Sequence, residues 1–343
     1  MLQNIKKKII CLIYSVIILA LLFYSISVLL SQKTYNPDFG ISFDPEYATY
    51  LGLDWKEVYR EALHDLQPTY IRIAAKWHAV ESENNVFDYG NIDWMMDAAE
   101  KHNTQVVLVI GQKAPRWPEC FIPNWVYEDK STYKEQVLAY IEKTVNRYKN
   151  HKALYMWQVE NEPFIHFTFG SCPEYNQEVV YDEIGLVKKL DSNHKVMVTD
   201  SGEMGLWKKA AEAGDVFGTT LYRIVQNPKG KIFSYFWMPA GFYNLKAKVF
   251  GIAPERMMIS ELQAEPWFSQ HNTENTPQTM SDQQIMQLMS PNRLQEHINY
   301  AQHINTSAVF LWGTEWWYFM KERRNNSQYW EMVREVFVEN GTV

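Results

Sequence analysis

A chain of 343 residues that is 46% hydrophobic can bury a large core, which excludes an intrinsically disordered polypeptide. Its net charge of −7, with no basic stripe, excludes nucleic acid as an expected partner. The length accommodates one large α/β domain or two small ones.

At the N-terminus, Lys6-Lys7-Lys8 precedes an uncharged apolar run from Ile9 to Leu30. As a helix that run rises about 33 Å, enough to cross a hydrocarbon core. Basic residues ahead of it place the N-terminus in the cytoplasm and the remainder outside. A cleaved signal peptide has a shorter apolar region followed by a small-x-small site, and Ser27-Val28-Leu29-Leu30-Ser31-Gln32-Lys33 offers no convincing one. The expected organisation is a cytoplasmic stub and transmembrane anchor over residues 1–32, a short tether over 33–38, and one extracytoplasmic domain over 39–343, at the cell surface or in the periplasm.

Beyond the tether, hydrophobic pattern and punctuation give eight strand candidates: Phe39–Phe43, Tyr70–Ala74, Gln105–Gly111, Leu154–Glu160, Lys195–Thr199, Val216–Leu221, Arg256–Ser260 and Ala308–Trp312. They are short, mostly continuous apolar runs, as expected of a parallel sheet buried on both faces. Amphipathic helix patterns separate them. Tyr133–Tyr148 places Val137, Tyr140, Ile141, Val145 and Tyr148 on one face. Asn176–Leu190, Gly205–Ala213 and Asn292–His303 behave similarly. The alternation has no composition break, and no Gly-rich fingerprint follows the first strand, so the expected fold is a (β/α)8 TIM barrel rather than an open doubly wound sheet.

The fourth and seventh strands each lead into a glutamate, in Gln158-Val159-Glu160-Asn161-Glu162-Pro163 and Ile259-Ser260-Glu261. Glu162 and Glu261 are 99 residues apart, three βαβ steps of about 33 residues, so both are expected at one mouth. Two such carboxyls suit hydrolysis of a glycosidic bond, in which one group donates a proton and the other attacks or stabilises the anomeric carbon. Each glutamate alone is more often a solvated loop residue. Glu160 competes for the acid role, and Glu265 competes with Glu261. Glu315 suits either sugar hydroxyls or loop anchoring. Arg72, inside the apolar run Tyr70-Ile71-Arg72-Ile73-Ala74, needs a buried anionic partner. Trp77, Trp117, Trp125, Trp267 and Trp316 all follow strands. Trp77, Trp117 and Trp267 are candidates for stacking on sugar rings, against the alternative that such residues only pack loops. The aromatic insertion Gln226–Phe250 suits a cleft wall, or a patch touching the bilayer. Cys120 and Cys172 both lie in loops, and an external compartment permits a disulfide between them.

These positions resemble a known group, the clan A retaining glycoside hydrolases, which includes family 5 cellulases and mannanases and the family 42 β-galactosidases. The resemblance covers roughly residues 38–340. It rests on Asn161-Glu162-Pro163 after strand four, Glu261 after strand seven, Arg72 on strand two, Tyr222 after strand six and Trp312 on strand eight. It implies Glu162 as acid/base and Glu261 as nucleophile, with Asn161 on the sugar 2-hydroxyl and Tyr222 donating to Glu261. Arg72 would lie beneath that carboxylate and Trp312 under the sugar. It implies a carbohydrate substrate and no metal or organic cofactor. The sequence departs from the family 5 pattern at Thr220, where many members have His, and at Gln112 and Lys113 after strand three. The resemblance thus implies a membrane-anchored retaining β-glycosidase. A transglycosylase on envelope glycans and a catalytically silent glycan-binding barrel are the alternatives.

Overall fold

The computed structural model describes residues 2–166, 170, 172, 175–226, 231–267 and 276–339. Eight strands close into a barrel: β1 (Asp38–Ser42), β2 (Tyr70–Ala74), β3 (Gln105–Ile110), β4 (Leu154–Val159), β5 (Lys195–Asp200), β6 (Val216–Leu221), β7 (Met257–Gln263) and β8 (Ala308–Trp312). Every neighbouring pair is parallel, and β8 closes on β1. This is the expected (β/α)8 architecture. β2, β6 and β8 have the bounds that the apolar runs predicted.

Side chains alternate along each strand, which sets two populations. Val107, Met156, Met197, Val216, Met258, Ala308 and Phe310 fill the barrel's lower interior. The intervening residues, such as Ile71, Ile73, Trp157 and Ile259, face outward and pack under the helices. Two positions above Tyr70 and Met156 on the same inward rows come Arg72 and Gln158, both buried. The barrel is therefore apolar at its base and polar towards the C-terminal ends of its strands, where barrel sites lie.

β7 is longer than expected. It runs through Glu261 and carries an extra residue: Thr219 pairs with Ile259 but Thr220 pairs with Glu261, and a matching shift occurs against β8. Such a bulge twists a strand and re-aims a side chain. Beyond β6 comes a two-stranded hairpin, Ile224–Gln226 with Ile232–Ser234, and then a helix over Gly241–Val249.

The first helix, α1 (Leu2–Leu30), is long and apolar enough over Ile5–Leu30 to cross a membrane, a test that an N-terminal signal sequence also passes. Its last turns touch the barrel. Ser27 is buried, the Ser31 hydroxyl accepts from the Gly241 N–H at 2.7 Å, and Phe23 meets Phe242 edge-on at 5.9 Å. Residues 33–38, expected as a tether, lie against the domain: the Tyr35 N–H donates to the Gln302 carbonyl at 2.7 Å, and the His303 ring bonds the Lys33 carbonyl at 3.0 Å.

Candidate active site

Arg72 organises the mouth. Fully buried on β2, it donates to the Gln158 side chain at 2.7 Å, Asn161 Oδ1 at 2.9 Å, the Ser260 carbonyl at 3.2 Å and Glu261 Oε1 at 2.9 Å. The Ser260 carbonyl is available because the β7 bulge takes Ser260 out of register with β6. The other Glu261 oxygen accepts from the Tyr222 hydroxyl at 2.7 Å. Glu261 is thus a buried carboxylate with a cation on one oxygen and a phenol on the other, both in charge-assisted hydrogen bonds. Trp267 meets the Tyr222 ring edge-on at 5.1 Å.

Glu162 occupies a different environment. The chain leaves β4 through two left-handed residues, Glu160 at φ 60° and Glu162 at φ 46°. That conformation costs a residue with a Cβ about 1–3 kcal/mol and needs surrounding contacts to hold it. Glu160 supplies them: its two oxygens accept from the Gln112 and Lys113 backbone N–H groups, at 2.8 and 2.6 Å. Gly111, at φ 113°, makes room, since a Cβ there would lie 2.3 Å from Glu160 Oε1. The Glu162 N–H donates to Thr199 Oγ1 at 2.8 Å, and Lys113 Nζ reaches the Glu162 carbonyl at 3.3 Å. The Glu162 carboxyl accepts one hydrogen bond, from Thr220 at 3.0 Å. Burial first, and then the negative charge of Glu261, push this carboxyl up to about 8. Glu160 is also raised, chiefly by burial, but it is fully enclosed, with both oxygens on the loop backbone and a second buried acid, Glu183, beside it.

Five residues singled out in the sequence (Arg72, Asn161, Glu162, Tyr222 and Glu261) therefore meet at one mouth, with Trp267 beside them. Trp312 lines a small recess with Ser42, Asp44, Arg72 and Pro115. Its ring is covered by Arg116, whose guanidinium lies 4.1 Å from the ring centroid and 3.7 Å from that of Tyr47. Arg116 pairs with Glu265 and, at 2.8 Å, with Glu315. Glu315 is fully buried, also accepts from the Asp44 N–H, and is pushed up to about 7 by its burial. It is an anchor for Arg116 rather than a group presented to solvent. Trp117 has 40% of its surface open. Trp77 is not at the mouth. It is fully buried, stacks on Tyr140 and donates to Glu81 at 2.8 Å, because the short helix Trp77–Val80 turns it into the shell between barrel and helices. A disulfide joins Cys120 and Cys172, stapling the loop after β3 to the loop after β4.

Sequence reasoning missed Arg116, and it noted Thr220 and Lys113 only as departures from a pattern. The signal available was position: both departures fall where β6 and β3 deliver residues to the mouth.

The Glycosyl hydrolase family 10 model matches residues 68–188, a stretch that includes Arg72, Asn161 and Glu162 and stops well short of Glu261. Mannan endo-1,4-beta-mannosidase F of Aspergillus clavatus is 27% identical over 133 residues, which is 34% of this chain and 27% of that protein. Among solved structures, xylanase 10B from Thermotoga maritima is similar with a TM-score of 0.57 and 12% identity, over 91% of this chain and 97% of that one. A cold-adapted β-galactosidase from Rahnella sp. R3 has a TM-score of 0.61 at 12% identity, over 90% of this chain and 56% of that one. At such identities the structural likeness concerns the fold, and the chain spans about a quarter of the curated mannosidase it matches. Taken together, the resemblance is to the clan A glycoside hydrolases as a group, with no one family within the clan set apart.

Proposed function

We propose that the chain is a membrane-anchored retaining β-glycosidase that cleaves β-linked oligo- or polysaccharide through a covalent glycosyl-enzyme. The carrying observation is the contrast between two neighbouring carboxyls. Glu261 is clamped by Arg72 and Tyr222, while Glu162 is desolvated and keeps its proton to about pH 8. Two acids in such different surroundings divide the work into one nucleophile and one proton donor.

Glu261 would attack the anomeric carbon and form an ester as the bond to the leaving oxygen breaks, with the Glu162 proton passing to that oxygen. Forming the ester removes the charge on Glu261, which is the second cause of the raised Glu162 value. Glu162 then becomes a stronger acid and stays ionised, able to take a proton from water. That water's oxygen attacks the same carbon, the ester breaks, and both carboxyls return to their starting states with net retention. Asn161, held by Arg72, would bond the sugar's 2-hydroxyl, with Trp267 beside Tyr222 at the same mouth. The division into an anchor over residues 1–32, a linking segment over 33–38 and a barrel over 39–343 belongs to this proposal. An uncleaved anchor is supported by the packing of α1 on the Gly241 helix.

The test is a screen of the purified protein against chromogenic β-glycosides and polysaccharides, with the product anomer followed by NMR. Release of the β-anomer before mutarotation supports the proposal. Initial release of the α-anomer from a β-glycoside contradicts it.

A further inference from the structure

We infer that the aromatic segment just ahead of the Gly241 helix, centred on Phe233, Phe236 and Trp237, is a second membrane contact that lies against an anionic lipid surface and fixes the domain's orientation on it. This rests on reading α1 as an anchor. Crossing about 30 Å of hydrocarbon takes about 20 helical residues. Counted from Ile9, the first residue after the lysines, the crossing ends near Val28.

Helix α1 is already touching the domain by then. A Cβ on Gly241 would lie 2.0 Å from the Ser27 carbonyl oxygen, so the two helices meet backbone to backbone. Phe242 meets Phe23, about 7 Å further down the helix than Val28. The Gly241 helix therefore cannot stand clear of the bilayer. Around the rest of α1, Tyr24, Ile26 and Leu29 stay exposed and apolar.

The chain enters the Gly241 helix directly from this segment, with Trp237 four residues before Gly241. Ile232, Phe233, Phe236 and Trp237 are exposed, Trp237 by 64%, although large aromatic side chains usually find cover. Lys231 lies over the Phe233 ring at 5.2 Å. Aromatic rings with adjacent lysines match the chemistry of the headgroup region. Charge agrees. Residues 216–254 contain no Asp or Glu but hold Arg223, Lys229, Lys231, Lys246 and Lys248, in a chain whose net charge is −7. Lys231 and Lys248 are exposed, whereas Arg223 and Lys246 bond backbone carbonyls inside the domain. A wall of the sugar cleft would explain the aromatic rings but not the missing acids or the contact with α1.

The experiment places the full chain in nanodiscs of mixed phosphatidylglycerol and phosphatidylcholine, with or without bromine high on the acyl chains. The Trp237→Phe variant isolates one indole, and the wild-type minus variant difference spectrum is recorded. Bromine should quench that difference at least twofold, and adding a soluble oligosaccharide should not alter it. Equal difference spectra in brominated and plain lipid, in discs that contain the protein, would overturn the second contact while leaving the anchor intact. Failure of the chain to enter discs would overturn the anchor reading and this inference with it. A difference spectrum that shifts with oligosaccharide and ignores bromine would assign the segment to the cleft instead.

Discussion

Replacing Arg72 with methionine removes a buried cation while keeping an unbranched side chain that can fill much of the same space. Four interactions go with it: those to Gln158, Asn161, the Ser260 carbonyl and Glu261. Glu261 would keep only the Tyr222 hydroxyl while remaining buried. Stranding one partner of a buried ion pair costs about 3–5 kcal/mol. Against a total stability of about 5–15 kcal/mol, the variant should still fold, with Tm lowered by roughly 6–20 °C. The cost depends on the charge of Glu261. With Glu261→Gln already in place, losing Arg72 leaves only neutral acceptors short of a donor, a cost of about 1–2 kcal/mol. Urea unfolding of the full chain in detergent, run as a double-mutant cycle, should therefore give a coupling of about 2–3 kcal/mol. If Arg72→Met costs under about 1 kcal/mol, or costs the same with either residue at position 261, the clamp is not an electrostatic one and the reasoning fails.

Four further outcomes follow from the same site. Glu162 keeps its proton to about pH 8 when folded but releases it near 4.5 when unfolded, so the native state binds the extra proton between those values and stability falls as pH rises through that window. Glu162→Gln lacks this loss, so it should gain on wild type from pH 5 to 8 by up to about 4 kcal/mol, whereas parallel stability curves would refute the raised value. In the same terms, wild-type kcat/KM should decline above about pH 8 as Glu162 ionises. Gly111→Ala puts a methyl group against Glu160 at a φ of 113°; kcat should drop at least tenfold with the barrel's circular dichroism unchanged, and wild-type turnover would dismiss Glu160 as the support of the Glu162 turn. Arg116→Ala strands Glu265 and Glu315, so it should cost about 3–5 kcal/mol at pH 8 and markedly less at pH 5, where Glu315, raised to about 7, holds its proton. A cost independent of pH would mean that Arg116 acts through packing on Tyr47 and Trp312 instead.

Much of the barrel was legible because a parallel strand buried on both faces is a short apolar run, and β2, β6 and β8 stand out in that way. Arg72 was legible for the opposite reason: a charge inside such a run requires a partner, and Glu261 is that partner. The β7 bulge was not, because the polar pair Ser260-Glu261 interrupts the apolar run Met257-Met258-Ile259 and so reads as the strand's end rather than as an inserted residue within it. That is why the strand was expected to end at Ser260 rather than to carry Glu261 within it. The left-handed turns at Glu160 and Glu162 are imposed by contacts with the loop after β3, at long range in sequence. Arg116 escaped for the same reason, since its partners come from beyond β7 and β8. Trp77 was misplaced because following a strand puts a residue near the mouth, and only the turn of its short helix decides which way it faces.

The central claim is that Glu261 is the nucleophile and Glu162 the proton carrier. It is tested most directly by incubating the protein with a panel of activated 2-deoxy-2-fluoro β-glycosides and mapping the adduct by peptide mass spectrometry. The expected result is one stoichiometric adduct on Glu261, formed in wild type and absent from Glu261→Gln. An adduct on Glu265 or Glu160, or labelling that survives Glu261→Gln, would contradict the assignment.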